Sequence, residues 1–165
     1  MSDALFTYGT LQFPEVMEAV TGLALPWVEA EVPGFAQYRL RDCMYPGMVA
    51  REGAVTQGRV YTSLRFQAWE LLDRFEDPVY CRELLEVYRP DGSTMTAHAY
   101  VLPVAQQHLL SSELWRMDWF TEVHLDGYVR RCRVFYETNT SENLSESRTQ
   151  SRWKLTDSSE NSSAC

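Results

Sequence analysis

Apolar positions along the chain fall mostly into short alternating bursts and take up helical spacing in only a few places. Ala4 to Tyr8 is an apolar run of strand length, closed by Gly9-Thr10. Phe13-Pro14-Glu15 then opens a short helix, with Pro in the first turn and an acid near the positive end of the dipole, and the pattern stops at Gly22. Trp27 to Val32, Phe35 to Arg41 and Val55 to Leu64 are rich in strand formers and are punctuated by Pro33-Gly34, Pro46-Gly47 and Gly53. Arg65 to Phe75 places Trp69, Leu72 and Phe75 on one helical face, and Pro78 ends it. Tyr80 to Tyr88 and Met95 to Leu102 flank Pro90-Asp91-Gly92, a hairpin signal. Asp118 to Tyr136 predicts one helix or two, interrupted near Gly127, with Trp119, Phe120, Val123 and Tyr128 available to the core. Short connections between strands, with few helices, predict an α+β domain built on a curled, mostly antiparallel sheet or small barrel. A doubly wound layout is disfavoured, because helices do not alternate with strands and no GxGxxG follows the first one.

The apolar pattern fades after residue 137, where Ser, Asn, Thr and acids dominate. Residues 1–137 therefore read as one folded domain and residues 138–165 as a disordered Ser/Asn-rich tail that cannot offset the entropy of its own ordering. Across 165 residues, 45% of side chains are apolar, so one ordinary core suffices without a disulfide or metal. Fifteen basic against 23 acidic groups give a net charge of -8, which argues against nucleic acid as a partner. The first residues, Met-Ser-Asp-Ala-Leu-Phe, form no signal sequence, and no apolar run is long enough to span a membrane; the expectation is a cytoplasmic protein without a membrane partner. Cys43, Cys81, Cys132 and Cys165 form no CxxC, and His98, His108 and His124 are scattered, so neither a metal site nor a cofactor is expected.

Two segments carry candidate chemistry. In Tyr8-Gly9-Thr10-Leu11 a strand ends in Gly and runs directly toward a helix, a junction whose backbone N–H groups suit an anionic ligand group; an ordinary structural turn has the same pattern. In Leu72-Asp73-Arg74-Phe75-Glu76-Asp77-Pro78, Glu76 and Asp77 stand at a helix C-terminus, where the dipole opposes negative charge. A carboxyl raised by that field and by apolar neighbours such as Phe75 can act as base and acid near neutral pH, whereas exposed, screened carboxyls would be inert.

Together with Tyr45-Pro46-Gly47-Met48, Gly58-Arg59-Val60-Tyr61, the Tyr80 and Arg82 that follow Glu76, and Ala99-Tyr100-Val101, these segments resemble the gamma-glutamylcyclotransferase-like family, including its AIG2-like and gamma-glutamylamine cyclotransferase branches. The likeness runs from about residue 4 to about residue 103, and the stretch from Pro103 to Glu137 matches no pattern. The resemblance implies a small mixed, mostly antiparallel β-barrel with flanking helices, no cofactor, and a small gamma-glutamyl compound as partner. Tyr8, Gly9, Thr10 and Leu11 would bind the glutamyl part, and Glu76 would be the catalytic acid and base. Tyr80 and Arg82 would hold the cavity wall, although Arg82 could instead pair with an acid. The reaction implied is cyclisation of a gamma-glutamyl amide or amine to 5-oxoproline with release of the amine. The competing expectations are a module of the same fold that binds such a ligand without turnover, and transfer of a gamma-glutamyl group carried on a larger molecule.

Overall fold

A computed structural model describes residues 3–141. Its strands are β1 (Leu5–Thr7), β2 (Trp27–Arg39), β3 (Pro46–Tyr61), β4 (Cys81–Tyr88) and β5 (Thr94–Val101). Its helices are α1 (Pro14–Thr21), α2 (Phe66–Phe75), α3 (Met117–Val123) and α4 (Leu125–Thr140), with single 3₁₀ segments at Thr10–Gln12 and Val104–Leu109. The strands close into a barrel in the order β1-β3-β2-β4-β5. Closure joins β1 to β5 in parallel, with Leu5 opposite His98, and every other pairing is antiparallel. The α+β barrel class expected from the sequence is the one observed.

Strand alternation explains how the barrel gains both an interior and a helix-covered side. Phe6 on β1 and Tyr8 just after it turn to the interior, where they pack with Ala30, Val32, Met48, Val60, Val87, Ala97, Ala99 and Val101. The three alanines make room for the two rings. Leu5 points the other way, into a larger core that takes Val16, Met17 and Val20 from α1, Leu72 and Phe75 from α2, Phe120 from α3, and Tyr128, Cys132 and Phe135 from α4. The helices thus cover one flank of the barrel, and the end of α2 lies where barrel and helices meet.

Three local expectations are corrected. Trp27 to Val32, Phe35 to Arg41 and Val55 to Leu64 are expected as separate short strands, yet β2 and β3 run unbroken as one long antiparallel hairpin. The register moves from Pro33↔Val55 to Phe35↔Ala50, so Pro33-Gly34 and Gly53 mark a bulge rather than turns. Gly34 and Gly53 take positive φ values of 84° and 85°, a conformation that costs glycine nothing and lets the ladder bend without ending. Pro46 is the first residue of β3, where a missing N–H does no damage to the ladder.

The second correction concerns the last helices. The break falls at His124, with φ −124° and ψ −22°, and Gly127 sits inside the first turn of α4. Phe120 and Tyr128 are buried as expected, Trp119 is half-buried under the Arg39 guanidinium, and Val123 is 59% exposed on the outer face. The third concerns the domain end: α4 continues to Thr140, so residues 138–140, assigned to the tail, are helical. The remainder of that tail, 142–165, lies outside the described residues. Among the described residues no helix is long and apolar enough to cross a membrane.

Candidate active site

The Tyr8–Leu11 segment is shaped by what lies around it. Thr10–Gln12 forms one 3₁₀ turn directly after β1, with Gln12 N–H donating to the Gly9 carbonyl at 3.0 Å. Arg59 Nη1 and the Tyr61 hydroxyl, both from β3, donate to the Gln12 carbonyl at 2.8 and 3.3 Å and hold the turn from below. Gly9 passes so close to Pro46 that an added Cβ would stand 2.7 Å from the ring Cδ. A glycine is required there by the close approach of the Pro46 ring. The first N–H groups of such a turn have no carbonyl within it to receive them, which leaves donors beside the cavity.

Glu76 is the residue at which α2 stops being helical. Its N–H still donates to the Leu72 carbonyl at 3.0 Å, but its own backbone is extended, with φ −72° and ψ 146°. Asp77 follows it into the wall. Asp77 is 5% exposed; its carboxylate accepts the Tyr45 hydroxyl at 2.8 Å and the Val79 N–H at 3.1 Å. The turn Asp77–Tyr80 is closed by Tyr80 N–H donating to the Asp77 carbonyl at 3.1 Å. Asp77 is thus fully committed to structure, whereas the Glu76 carboxyl accepts no hydrogen bond among the described residues.

Tyr8, Gly9, Thr10, Leu11 and Glu76 line one cavity, although Leu11 and Glu76 are 65 positions apart in the sequence. The concavity measures about 480 Å³ including the space at its mouth. Its walls are largely aromatic: Phe6, Phe75 and five tyrosines, Tyr8, Tyr45, Tyr80, Tyr100 and Tyr128. Every tyrosine hydroxyl is tied into the protein. Tyr8 donates to the Tyr100 carbonyl at 2.6 Å, Tyr45 to Asp77, Tyr80 to the Pro46 carbonyl, and Tyr100 to Asp73 Oδ1 at 2.7 Å. The Tyr128 hydroxyl shares a hydrogen bond with Thr10 Oγ1 at 3.1 Å. The rings therefore form the cavity surface, and Glu76 is its one uncommitted acidic side chain.

That setting fixes the protonation states. The Glu76 carboxyl is pushed up to about 8 from an ordinary 4.5, first by burial and then by the neighbouring charges of Asp77 and Asp73. Burial is the largest cause, and the like charges add to it. Burial also raises Tyr8, Tyr45, Tyr80, Tyr100 and Tyr128 well above the usual phenol range, so all five stay neutral donors at physiological pH. Among the described residues no cationic side chain lines the cavity. Among the described residues no group of three or more His, Cys, Asp or Glu side chains converges as a metal site would require.

The other singled-out residues separate. Tyr80 is part of the wall. Arg82 is not: its Nε lies 3.3 Å from Asp73 Oδ1 and its guanidinium stacks 4.5 Å from the Trp69 ring centre, outside the cavity. Site roles for Tyr45, Tyr100 and Tyr128 were not foreseen from the sequence. Tyr45 and Tyr100 stand in segments that carry the family resemblance, and that was the available signal; Tyr128, on the last helix, gave none beyond its fitness for a core.

Fold and cavity together define a closed α+β barrel whose helix-covered flank holds one aromatic, carboxyl-bearing cavity beside a glycine-containing strand end. The chain belongs to the family described as gamma-glutamyl cyclotransferase, AIG2-like, whose model matches residues 5–119. Among curated relatives it is similar to AIG2-like protein C of Arabidopsis thaliana, 28% identical over 134 residues that cover 81% of this chain and 77% of that protein. It is 32% identical to AIG2-like protein B of the same plant over 89 residues, 54% of this chain and 52% of that one. Two solution structures from Arabidopsis thaliana share the fold. One has a TM-score of 0.60 at 23% identity, covering 84% of this chain and 93% of the other, and the second 0.61 at 24%, covering 87% of each. A structure described as a gamma-glutamyl cyclotransferase superposes with a TM-score of 0.55 at 15% identity, over 62% of this chain and 67% of that one.

Proposed function

We propose that the chain is a cyclotransferase that converts a gamma-glutamyl amide or gamma-glutamylamine to 5-oxoproline and a free amine, with Glu76 as general base and then general acid. The substrate carries its own nucleophile. Its α-amine attacks its γ-carbonyl carbon, forming the ring C–N bond, and the bond to the leaving nitrogen breaks. An enzyme that holds the chain curled for this attack can draw on effective molarities of about 10⁵–10⁸ M. What remains is proton transfer. The Glu76 carboxylate takes a proton from the α-ammonium and, as the carboxylic acid, returns it to the departing nitrogen; the second proton left on the ring nitrogen after attack then passes by way of the same carboxylate to the released amine, which departs as its ammonium, so the protein ends as it began.

The observation that carries this reading is the uncommitted Glu76 carboxyl, raised to about 8, in the same aromatic cavity as the Tyr8–Leu11 turn. Proton transfer from an amine of pKa near 8 to an ordinary glutamate costs about 5 kcal/mol, whereas transfer to a carboxyl raised to that range is close to thermoneutral. The backbone N–H groups at Gly9, Thr10 and Leu11 are suited to the substrate's α-carboxylate or to the oxygen that becomes negative on attack. Tyr8 and Tyr80 serve as wall, with their hydroxyls already engaged.

The test is incubation of the purified chain with gamma-glutamyl-lysine, gamma-glutamyl-alanine and glutathione, reading 5-oxoproline by mass spectrometry. Glu76→Gln keeps the side-chain shape and removes the proton carrier, and the expected loss of rate is about 10²–10⁴-fold. Wild-type turnover by the Glu76→Gln protein would remove Glu76 from the role. Binding of these compounds with no product from the wild type would favour the non-catalytic module instead.

A further inference from the structure

We infer that Tyr128 is a positioning residue that locks the Thr10 side of the loop to the end of α2 and so sets the alignment of the substrate with Glu76; this rests on the cyclotransferase reading. Tyr128 is the one residue of the cavity wall that lies beyond residues 5–119, the part of the chain matched by the family model. It comes from α4, in a stretch where the sequence offered no site residue.

Its contacts reach both halves of the site. The hydroxyl meets Thr10 Oγ1 at 3.1 Å, with Thr10 only 6% and Tyr128 only 1% exposed, so water cannot stand in for either partner. The ring stacks edge-on against Phe75, the residue before Glu76, at 6.3 Å and 86°. On another side it meets Phe120 at 5.2 Å and 78°. The helix that carries it is itself held to the molecule, Arg74 of α2 donating to Asn139 Oδ1 at 3.1 Å and Arg131 approaching Met44 Sδ at 3.5 Å. The loop belongs to the barrel and the carboxyl to a helix that covers it. A side chain touching both, on a third element that is fixed, is what holds their spacing.

The hydroxyl does no proton chemistry, because burial keeps it neutral far above physiological pH. Its loss should therefore misalign rather than disable. With whichever of gamma-glutamyl-lysine, gamma-glutamyl-alanine or glutathione the wild type consumes, Tyr128→Phe is expected to lower kcat/KM about five- to tenfold, the scale of one lost buried hydrogen bond. Most of the fall should be in kcat, since the substrate still binds but reaches the attack geometry less often. Thr10→Val removes the same bond from the other side, and the double variant should fall no further than either single one. Tyr136→Phe deletes a hydroxyl on the same helix away from the cavity and should run at the wild-type rate. A Tyr128→Phe protein within twofold of wild type, or losses that multiply in the double variant, would overturn the inference and leave the cyclotransferase reading standing. A wild-type chain that forms no 5-oxoproline from any of the three compounds would overturn that reading, and this inference with it.

Discussion

A carboxyl held near 8 is a cost to folding, and the cost has a definite pH dependence. Below about pH 4.5 Glu76 is protonated in both folded and unfolded chains, and the site contributes nothing. As pH rises through 4.5 the unfolded chain ionises while the folded one keeps its proton, so stability is lost progressively until the folded group titrates at about 8. At pH 7 the penalty is on the order of 2–3 kcal/mol, after allowing for the part of Glu76 that meets solvent at the cavity mouth. Glu76→Gln has no such ionisation. Urea denaturation at pH 4 and pH 7.5 should find the two proteins alike at the lower pH and the variant more stable at the higher. Equal stabilities at pH 7.5 would mean that the carboxyl is solvated and its pKa ordinary. The residue that does the proposed chemistry is thus the one the fold would be better off without, and Asp77 beside it, with each oxygen engaged, is its counterpart in structure.

At the scale of elements, the site depends on Gly9 in the turn after β1 lying against the Pro46 ring at the start of β3. Gly9→Ala would force its new methyl against the Pro46 ring at 2.7 Å, and either the turn or the first residue of β3 must retreat. Displacement of the turn by even part of an ångström moves the N–H donors away from the substrate, and losses of about 10²-fold follow misplacements of about 1 Å. The expectation for Gly9→Ala is a fall of that order in kcat/KM with a modest change in melting temperature; unchanged kinetics would show that the turn's exact position is immaterial. This contact also marks what was legible in the sequence. The β1 run, the helix with Leu72 and Phe75 on its inner face, and the Asp-Gly hairpin could be read locally, because period and turn chemistry are local. The long β2–β3 hairpin was not, since Gly34 and Gly53 look like chain reversals in sequence and act as a bulge only when Phe35 finds Ala50 across the ladder. Tyr8–Leu11 and Glu76 could be singled out by residue type and by family likeness, but their meeting in one cavity, and the arrival of Tyr128 there, are consequences of barrel closure and helix packing that no window of the sequence contains.

The behaviour of the whole molecule follows from where its two cores meet. The barrel interior and the helix-covered core each exclude water, and the cavity lies at their junction, so the Glu76 proton affinity is a property of the assembly more than of the residue. Charges reach it from several elements: Asp73 on α2 and Asp77 in the following turn raise it, while Tyr8, Tyr80, Tyr100 and Tyr128 surround it as neutral rings. If the carboxylate must receive the substrate's proton, kcat/KM should climb with pH up to about 8, tenfold per unit on the acid limb, because only the ionised fraction of free enzyme is competent. Asp77→Asn keeps the side-chain shape, its one oxygen accepting the Val79 N–H while its amide donates to a turned Tyr45 hydroxyl, and removes the nearby charge. Without that repulsion Glu76 ionises more readily, and the acid limb should move to lower pH with the plateau near the wild-type level. A limb that stays in place in Asp77→Asn but vanishes in Glu76→Gln would assign the shift to burial and Asp73, without a part for Asp77. An acid limb that persists unchanged in Glu76→Gln would place the titrating group elsewhere and take the proton carrier's role from Glu76.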